Sequence, residues 1–240
     1  MNNSFIKQGN CLELMKEIPD ESIDLVITDP PYEINTSGGL YKQEDKRYIN
    51  ELNFIKDGFS EEILDEICRV MKKINFYCFC SQKQILKLLK YFLDNEHNKF
   101  HMLYRKKINW NLLTWHKTNP VPACGNKYLS DTEYILFFRE KGVKIYGSFE
   151  TKKTHYETPL WVKDKKIYNH PTCKPVFMLE NFIVNSSQEN DIVLDPFMGS
   201  ASTCEAAIET KRNYIGFELD EQYFNTAKQR IEEVTERVNN

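Results

Sequence analysis

No apolar run in this chain approaches the ~18 residues that a membrane-crossing helix requires, so no membrane partner is expected. Cys-x-x-Cys is also missing, and the seven cysteines, at 11, 68, 78, 80, 124, 173 and 204, are irregularly spaced. That argues against a zinc site and a disulfide framework alike; reduced thiols and no metal are the expectation. Gly-Lys-Ser/Thr does not occur, which excludes a P-loop. Internal repeats and low-complexity tracts are absent as well. Met1-Asn2-Asn3-Ser4 lacks the charged-then-apolar pattern of a secretory signal, and the expected location is the cytoplasm. At 240 residues, one α/β domain spanning 1–240 is the natural count.

The chain also lacks an overall positive charge: its formal net charge is −3. The distribution is uneven, however. Residues 103–175 hold fourteen Lys/Arg and six Asp/Glu, an excess of eight, and the remainder carries a deficit of eleven. Contact with a polyanion is a local requirement, so a basic face can serve it while the rest stays acidic. Any single lysine is most simply a solvated side chain; the clustering is what counts.

What is present is concentrated in two places. The first is Asp29-Pro30-Pro31-Tyr32, which closes the apolar run Ile23 to Thr28. The run reads as a buried strand. Two prolines cannot continue a ladder, because each lacks an N–H and has φ fixed near about −65°. The chain must therefore leave the sheet in a stiff turn at the strand's carboxyl end, the edge at which ligands of open α/β sheets bind. The turn offers a carboxylate, a carbonyl and an aromatic ring. Asp29 and the Pro30 carbonyl can accept the two N–H bonds of a planar amine, while Tyr32 stacks on its ring. The plainer reading is an ordinary Pro-Pro turn.

The second place is Asp191 to Thr203. A strand from Ile192 to Leu194 runs into a turn containing Asp195, Phe197 and Gly199, then into a helix from Cys204 to Thr210. Gly199, Ser200, Ala201 and Ser202 let a ligand approach the backbone at a helix N-terminus, which favours a carboxylate or phosphate. The next strand, Asn213 to Phe217, ends in Glu218, the placement of an acid that binds ribose hydroxyls in nucleoside-binding α/β folds.

Between these landmarks the pattern predicts strands at Ser4–Lys7, Phe76–Cys80, Lys107–Trp115 and Tyr134–Arg139. Helices are predicted at 11–17, at 60–73 with Ser60 as its cap, at 82–94 and at 175–186 with Pro175 in the first turn. Residues 33–58 are polar, contain Gly38-Gly39 and are long for a structureless loop, which points to a mobile lid or a disordered segment. Residues 141–168 alternate charges with aromatics without a clean period. Trp110, Trp115, Tyr146, Phe149, Tyr156, Trp161 and Tyr168 lie in or near the basic region; as a group they can stack on unpaired bases, and singly they read better as packing. His116 and His170 lack metal-ligand spacing and read as polar turn contacts.

Together the two landmarks resemble the amino-group DNA methyltransferases that use S-adenosylmethionine. Asp29-Pro30-Pro31-Tyr32 looks like their catalytic motif and Asp195-Pro196-Phe197-Met198-Gly199-Ser200 like their cofactor loop. Gly9-Asn10-Cys11-Leu12-Glu13, Phe76 to Ser81, Trp115-His116-Lys117-Thr118-Asn119-Pro120 and His170-Pro171-Thr172-Cys173-Lys174-Pro175 resemble further elements of the same family, in one order from residue 5 to about 225. The catalytic motif precedes the cofactor loop, as in the permuted β class. Three positions depart from the pattern: Ala201 stands where a second glycine is usual, Cys173 where glutamine is, and Asn10 where aspartate is common. Alanine in a helical or extended turn should keep the loop, and Asn10 can still meet an adenine edge but without a charged acceptor.

The resemblance implies a Rossmann-like methyltransferase sheet with a small inserted target-recognition region at 141–168. It implies Asp29, Pro30, Pro31 and Tyr32 as catalytic, and S-adenosylmethionine as cofactor. Cofactor contacts would come from Asn10, Asp29, His170, Pro171, Thr172, Lys174, Asp195, Pro196, Phe197, Gly199, Ser200, Ser202 and Glu218. DNA contacts are expected at Lys117, Asn119, Lys127, Lys144, Lys152 and Lys153, on a flipped or single-stranded base. Asp at the first motif position favours adenine N6 over cytosine N4. A non-catalytic S-adenosylmethionine-binding module and a protein glutamine methyltransferase are the more distant alternatives; the intact motif argues against the first and Asp29 against the second. So short a chain points to a short target site or to a homodimer, and the resemblance allows a cognate restriction endonuclease as a further partner.

Overall fold

The computed structural model describes residues 4–31, 60–93, 107–120, 125–126, 128–159 and 173–239. Tyr32, the 33–58 loop, Lys127, Trp161, Tyr168 and His170-Pro171-Thr172 lie outside them. Eight strands join in one sheet: β1 (Phe5–Gln8), β2 (Leu25–Thr28), β3 (Asn75–Cys80), β4 (Ile108–Lys117), β5 (Thr132–Glu140), β6 (His155–Thr158), β7 (Ile192–Asp195) and β8 (Asn213–Glu218). Their spatial order is β1-β8-β7-β2-β3-β5-β4-β6. Neighbours are parallel except where β5 meets β3 and β4, so β5 alone among the described strands runs against the rest.

The helices are α1 (Cys11–Met15), α2 (Glu61–Val70), α3 (Gln82–Leu93), α4 (Val176–Ser186), α5 (Ser202–Glu209) and α6 (Glu221–Asn239). Every residue of β2 and β3 is buried, the mark of central strands covered on both faces. The alternation of side chains then divides the core. Val26, Phe76, Cys78, Leu136 and Phe138 point to the side of α1, α2 and α3, where Met15, Ile63, Leu64, Ile67, Leu88 and Phe92 meet them. Leu25, Ile27, Tyr77, Phe79, Ile135 and Phe137 point to the other side, against Met178, Leu179, Phe182 and Ile183 of α4 and Ala206 and Ala207 of α5. Phe182 lies flat on Tyr77 with ring centroids 4.5 Å apart. Ser60 caps α2, its hydroxyl accepting from the Ile63 N–H at 3.3 Å. Among the described residues no helix is long and apolar enough to cross a membrane.

The topology fixes where a ligand can sit. From β2 the chain moves on to β3, and from β7 it moves on to β8 on the opposite side. Adjacent β2 and β7 therefore send their following segments apart, and this switch of direction opens a crevice at their carboxyl ends. Because β5 is antiparallel, its amino end comes to the same edge: Tyr134 pairs with Cys80, the last residue of β3. The sheet also extends further than the sequence pattern predicts. Strand β4 continues to Lys117 because β6, which the aperiodic 141–168 stretch conceals, pairs Thr158 with it.

Candidate active site

The crevice is a cleft of about 190 Å³ lined by Asp29, Pro30 and Pro31 after β2, by Asp195 and Phe197 to Ser200 after β7, and by Glu218 at the end of β8. Cys173, Lys174, Ser202 and Thr203 complete much of its wall. The two landmarks of the sequence thus face one space.

Asp195 joins the two sides. Its Oδ1 accepts from Thr28 Oγ1 of β2 at 3.0 Å and from the Phe197 N–H at 3.1 Å. Its Oδ2 accepts from Thr203 Oγ1 at 2.7 Å. Asp195, expected as a cofactor contact, lines the cleft, and three donors to its oxygens clasp the loop to β2. Glu218 does the parallel task for the far side. Its carboxylate accepts the Gly199 N–H at 3.0 Å and the Asp220 N–H at 2.9 Å. A carboxylate has about four lone-pair sites, so acceptor capacity remains for ribose hydroxyls. Gly199 has φ of +52°, which allows the loop to present its N–H there.

Ala201 differs from the expectation. It is neither helical nor extended but left-handed, with φ 62° and ψ 33°, immediately before α5. Its buried methyl packs with Met198, Cys204, Ala227 and Ile231, and that packing offsets the strain of about 1 kcal/mol or more that a Cβ meets in this region. The loop is also braced from behind. Arg230 of α6, only 1% exposed, pairs with Glu205 and donates to Ser202 Oγ at 3.0 Å and to the Ser200 carbonyl at 3.3 Å. Cys173 Sγ lies 3.2 Å from Ser200 Oγ. The hydroxyls of Ser200 and Ser202 therefore serve first to shape the loop. Asn10 caps α1, accepting the Leu12 N–H at 2.9 Å, and lies beyond the cleft lining.

Two buried acids carry a pH signature. Burial pushes the Asp195 carboxyl up to about 6, against the pull of Thr203, the Phe197 N–H and Thr28. Burial likewise pushes Glu218 up to about 7, offset in part by the Asp220 and Gly199 N–H groups. Both therefore bind protons more tightly in the folded chain than in the unfolded one. The stability linked to them is fully present below the ordinary carboxylate range and is lost as pH rises through about 6 and about 7. For the cofactor-free protein, Tm should fall across this window, and Glu218→Gln should flatten the fall. An unchanged slope in Glu218→Gln, followed by calorimetry over pH, contradicts this account of the acid.

The lysines of the expected sites lie in different settings. Lys174, 6% exposed, pairs with Asp29 Oδ2 and lies 3.3 Å from Glu133 Oε2. Its Nζ also sits 5.0 Å from the centre of the Phe79 ring. Lys117 is only partly exposed: it pairs with Glu133 Oε1 at 2.6 Å, where β6 extends the sheet beside it. Lys144 and Lys152 are exposed, as is Lys153, which pairs with Glu150 at 2.6 Å. They belong to the segment after β5. That segment starts at the edge away from Asp29, where Glu140 bonds Ile74, and follows the end of α4, where Tyr146 bonds Asn185. Asn119 is exposed just past the end of β4. Trp115 and Tyr156 are core residues, whereas Trp110, Tyr146 and Phe149 are exposed. His116 makes a polar contact, with Glu157 at 3.0 Å, but from within β4 and not from the turn expected of it. Among the described residues no three His, Cys, Asp or Glu side chains are grouped to hold a metal.

Glu133, Thr28, Thr203 and Arg230 escape a reading of the sequence. Each acts on a partner distant in the chain, and no local pattern marks it.

Comparisons with known proteins agree with this geometry. The model of the N6/N4 DNA methylase family matches residues 23–229. A type II methyltransferase of Haemophilus influenzae, M.HinfI, is 30% identical over 99% of this chain and 70% of its own length. A second, M2.MboI of Moraxella bovis, is 29% identical over 99% of this chain and 91% of its own. The crystal structure of an M1.HpyAVI–SAM complex superposes with a TM-score of 0.63 at 26% identity, covering 94% of this chain and 98% of that one. The cytosine-N4-specific PvuII DNA methyltransferase shares the fold, with a TM-score of 0.66 at 16% identity over 98% of this chain and 92% of that one.

Proposed function

The chain belongs to the N6/N4 DNA methylase family and uses S-adenosylmethionine, and from that premise we propose that it methylates the exocyclic N6 of adenine in DNA. The observation that carries this reading is Asp29-Pro30-Pro31 lining the cleft after β2, one strand away from the Gly199 loop after β7 and two from Glu218 at the end of β8. Glu218 would take the ribose hydroxyls, and the loop at Gly199 would let the cofactor approach the backbone. When bound, the cofactor supplies an electrophilic methyl group.

The acceptor needs help, because the lone pair of an amine conjugated to a purine is delocalised into the ring. Hydrogen bonds from its N–H groups to Asp29 and to the Pro30 carbonyl favour a tetrahedral nitrogen whose lone pair faces the methyl group. Positive charge then develops on nitrogen, and a carboxylate already in place stabilises it. The N–C bond would form as the methyl–sulfur bond breaks, leaving a neutral thioether, and the ammonium would then give up one proton to solvent by way of Asp29; in-line alignment would supply a further part. No cysteine nucleophile is required for transfer to an amine. The base must leave the stack or be unpaired to reach the cleft.

The likeness to a cytosine-N4-specific fold keeps N4 of cytosine as the second reading, and Asp29 favours adenine over it. Kinship with type II methyltransferases supports a role in restriction-modification, with a short target sequence and a cognate endonuclease. The basic stretch 103–168 would supply the DNA-facing surface, and a homodimer would widen it. Incubation with labelled S-adenosylmethionine and either unmodified duplex DNA or protein tests the acceptor class. Label in DNA alone is the expected result; label confined to protein overturns the reading.

A further inference from the structure

Beside the cleft, four charged side chains alternate in sign along one line: Lys117, Glu133, Lys174 and Asp29. They come from four separate places, namely the end of β4, the start of β5, the residue before Pro175 at the N-cap of α4, and the turn after β2. The register explains their meeting. Trp115 of β4 lies opposite Glu133 of β5, and Lys117, two residues on, points to the same face of the sheet. Only the reversed direction of β5 brings its first residues to this edge. Trp115, Phe79 and Leu179 form the apolar floor beneath the line.

We infer that Glu133 is a positioning residue for methyl transfer: it fixes Lys174, and Lys174 fixes the plane of the Asp29 carboxylate that receives the amine. Burial of a lone ammonium costs several kcal/mol, so Lys174 needs its partners. Burial works against its charge, but Asp29 and Glu133 outweigh that, and the lysine is held well above its ordinary range. Burial likewise opposes the charge on Glu133, yet Lys174 and Lys117 hold it below its ordinary range. Along the line, Lys174 and Glu133 thus each favour the charged form of the other.

That balance matters for the reaction. The cofactor carries a sulfonium, and positive charge develops on the acceptor nitrogen. An uncompensated lysine beside Asp29 would oppose both. Glu133 cancels that field while leaving the lysine in place to orient the carboxylate. A carboxylate turned out of position by even about 1 Å can cost on the order of a hundredfold in rate.

The inference rests on Asp29 as the amine acceptor, and its test separates the two claims. Labelled methyl transfer to DNA is measured for wild type, Glu133→Gln, Lys174→Met and the double variant, with S-adenosylmethionine affinity by calorimetry and Tm alongside. Wild type should be active. Glu133→Gln should lower kcat about 10- to 100-fold, with KM for DNA and cofactor affinity within about threefold of wild type. The double variant should match Lys174→Met, since Glu133 acts through that lysine. Glu133→Asp should recover part of kcat. Inactive wild type overturns the reading of the site. Active wild type with an unchanged kcat in Glu133→Gln, or losses that multiply in the double variant, overturns the role of Glu133 alone. Should Glu133→Gln not fold, Lys117→Met takes its place: kcat reduced at least about threefold at constant cofactor affinity supports the line, and an unchanged kcat overturns it.

Discussion

Replacement of Asp29 by alanine is expected to lower kcat for methyl transfer by about 10²–10³-fold or more while S-adenosylmethionine still binds. The carboxylate lies at the mouth of the cleft, at the end of a central strand whose position the core fixes from both faces. The Gly199 loop and Glu218 are held by contacts of their own, beside the Asp29 carboxylate. Its removal therefore deletes the charge that stabilises the forming ammonium and leaves the cofactor wall standing. Lys174 loses one of two carboxylate partners but keeps Glu133 at 3.3 Å, so the variant should fold. Single-turnover transfer of labelled methyl, with cofactor affinity by calorimetry, gives the two numbers. Near-normal transfer by Asp29→Ala would sink the mechanism.

Gly199→Val should produce the complementary loss, with cofactor affinity reduced on the order of a hundredfold. Valine at φ of +52° is strained, because a branched Cβ collides with the backbone in the left-handed region. Relief of that strain must swing the Gly199 N–H away from Glu218, which it meets at 3.0 Å. The turn then disturbs the wall of the cleft at the point of closest backbone approach. The clasp at Asp195 lies one turn earlier and should survive, so Tm should fall far less than affinity. Wild-type affinity in Gly199→Val would mean that the cofactor does not touch this loop.

The two landmarks were legible in the sequence because each is local. A strand that ends in two prolines has only one way to continue, and a run of small residues before a helix states its own use. Apolar runs and periodicity located β2, β3, α2 and α4, whose side chains point into the core, with bounds within one residue for β3 and α4; α2 ends at Val70, three residues before the expected 73, and β2 starts at Leu25, not Ile23. The rest depends on distant partners. Strand β6 is short and half exposed, so its alternation is lost among the charges of 141–168, and its pairing with β4 became visible only in the sheet. Lys117 looked like a phosphate contact because basic residues surround it in sequence; Glu133 reaches it only across β4 and β5. Asp195 and Ser202 read as ligand contacts and do line the cleft; that they also hold the loop, through Thr28, Thr203 and Arg230, depends on partners no local pattern marks. Ala201 shows the limit of propensity: a buried methyl held a conformation that favours glycine.

The central claim is that this cleft methylates adenine N6 in DNA. Expression in a host that lacks other DNA methylases, followed by nucleoside analysis and mapping of modified bases in its genomic DNA, tests it most directly. The account predicts N6-methyladenine at one short recurring sequence in cells with the wild-type chain and none with Asp29→Ala. Modification confined to N4 of cytosine, or unmodified DNA from the wild-type chain, would contradict it.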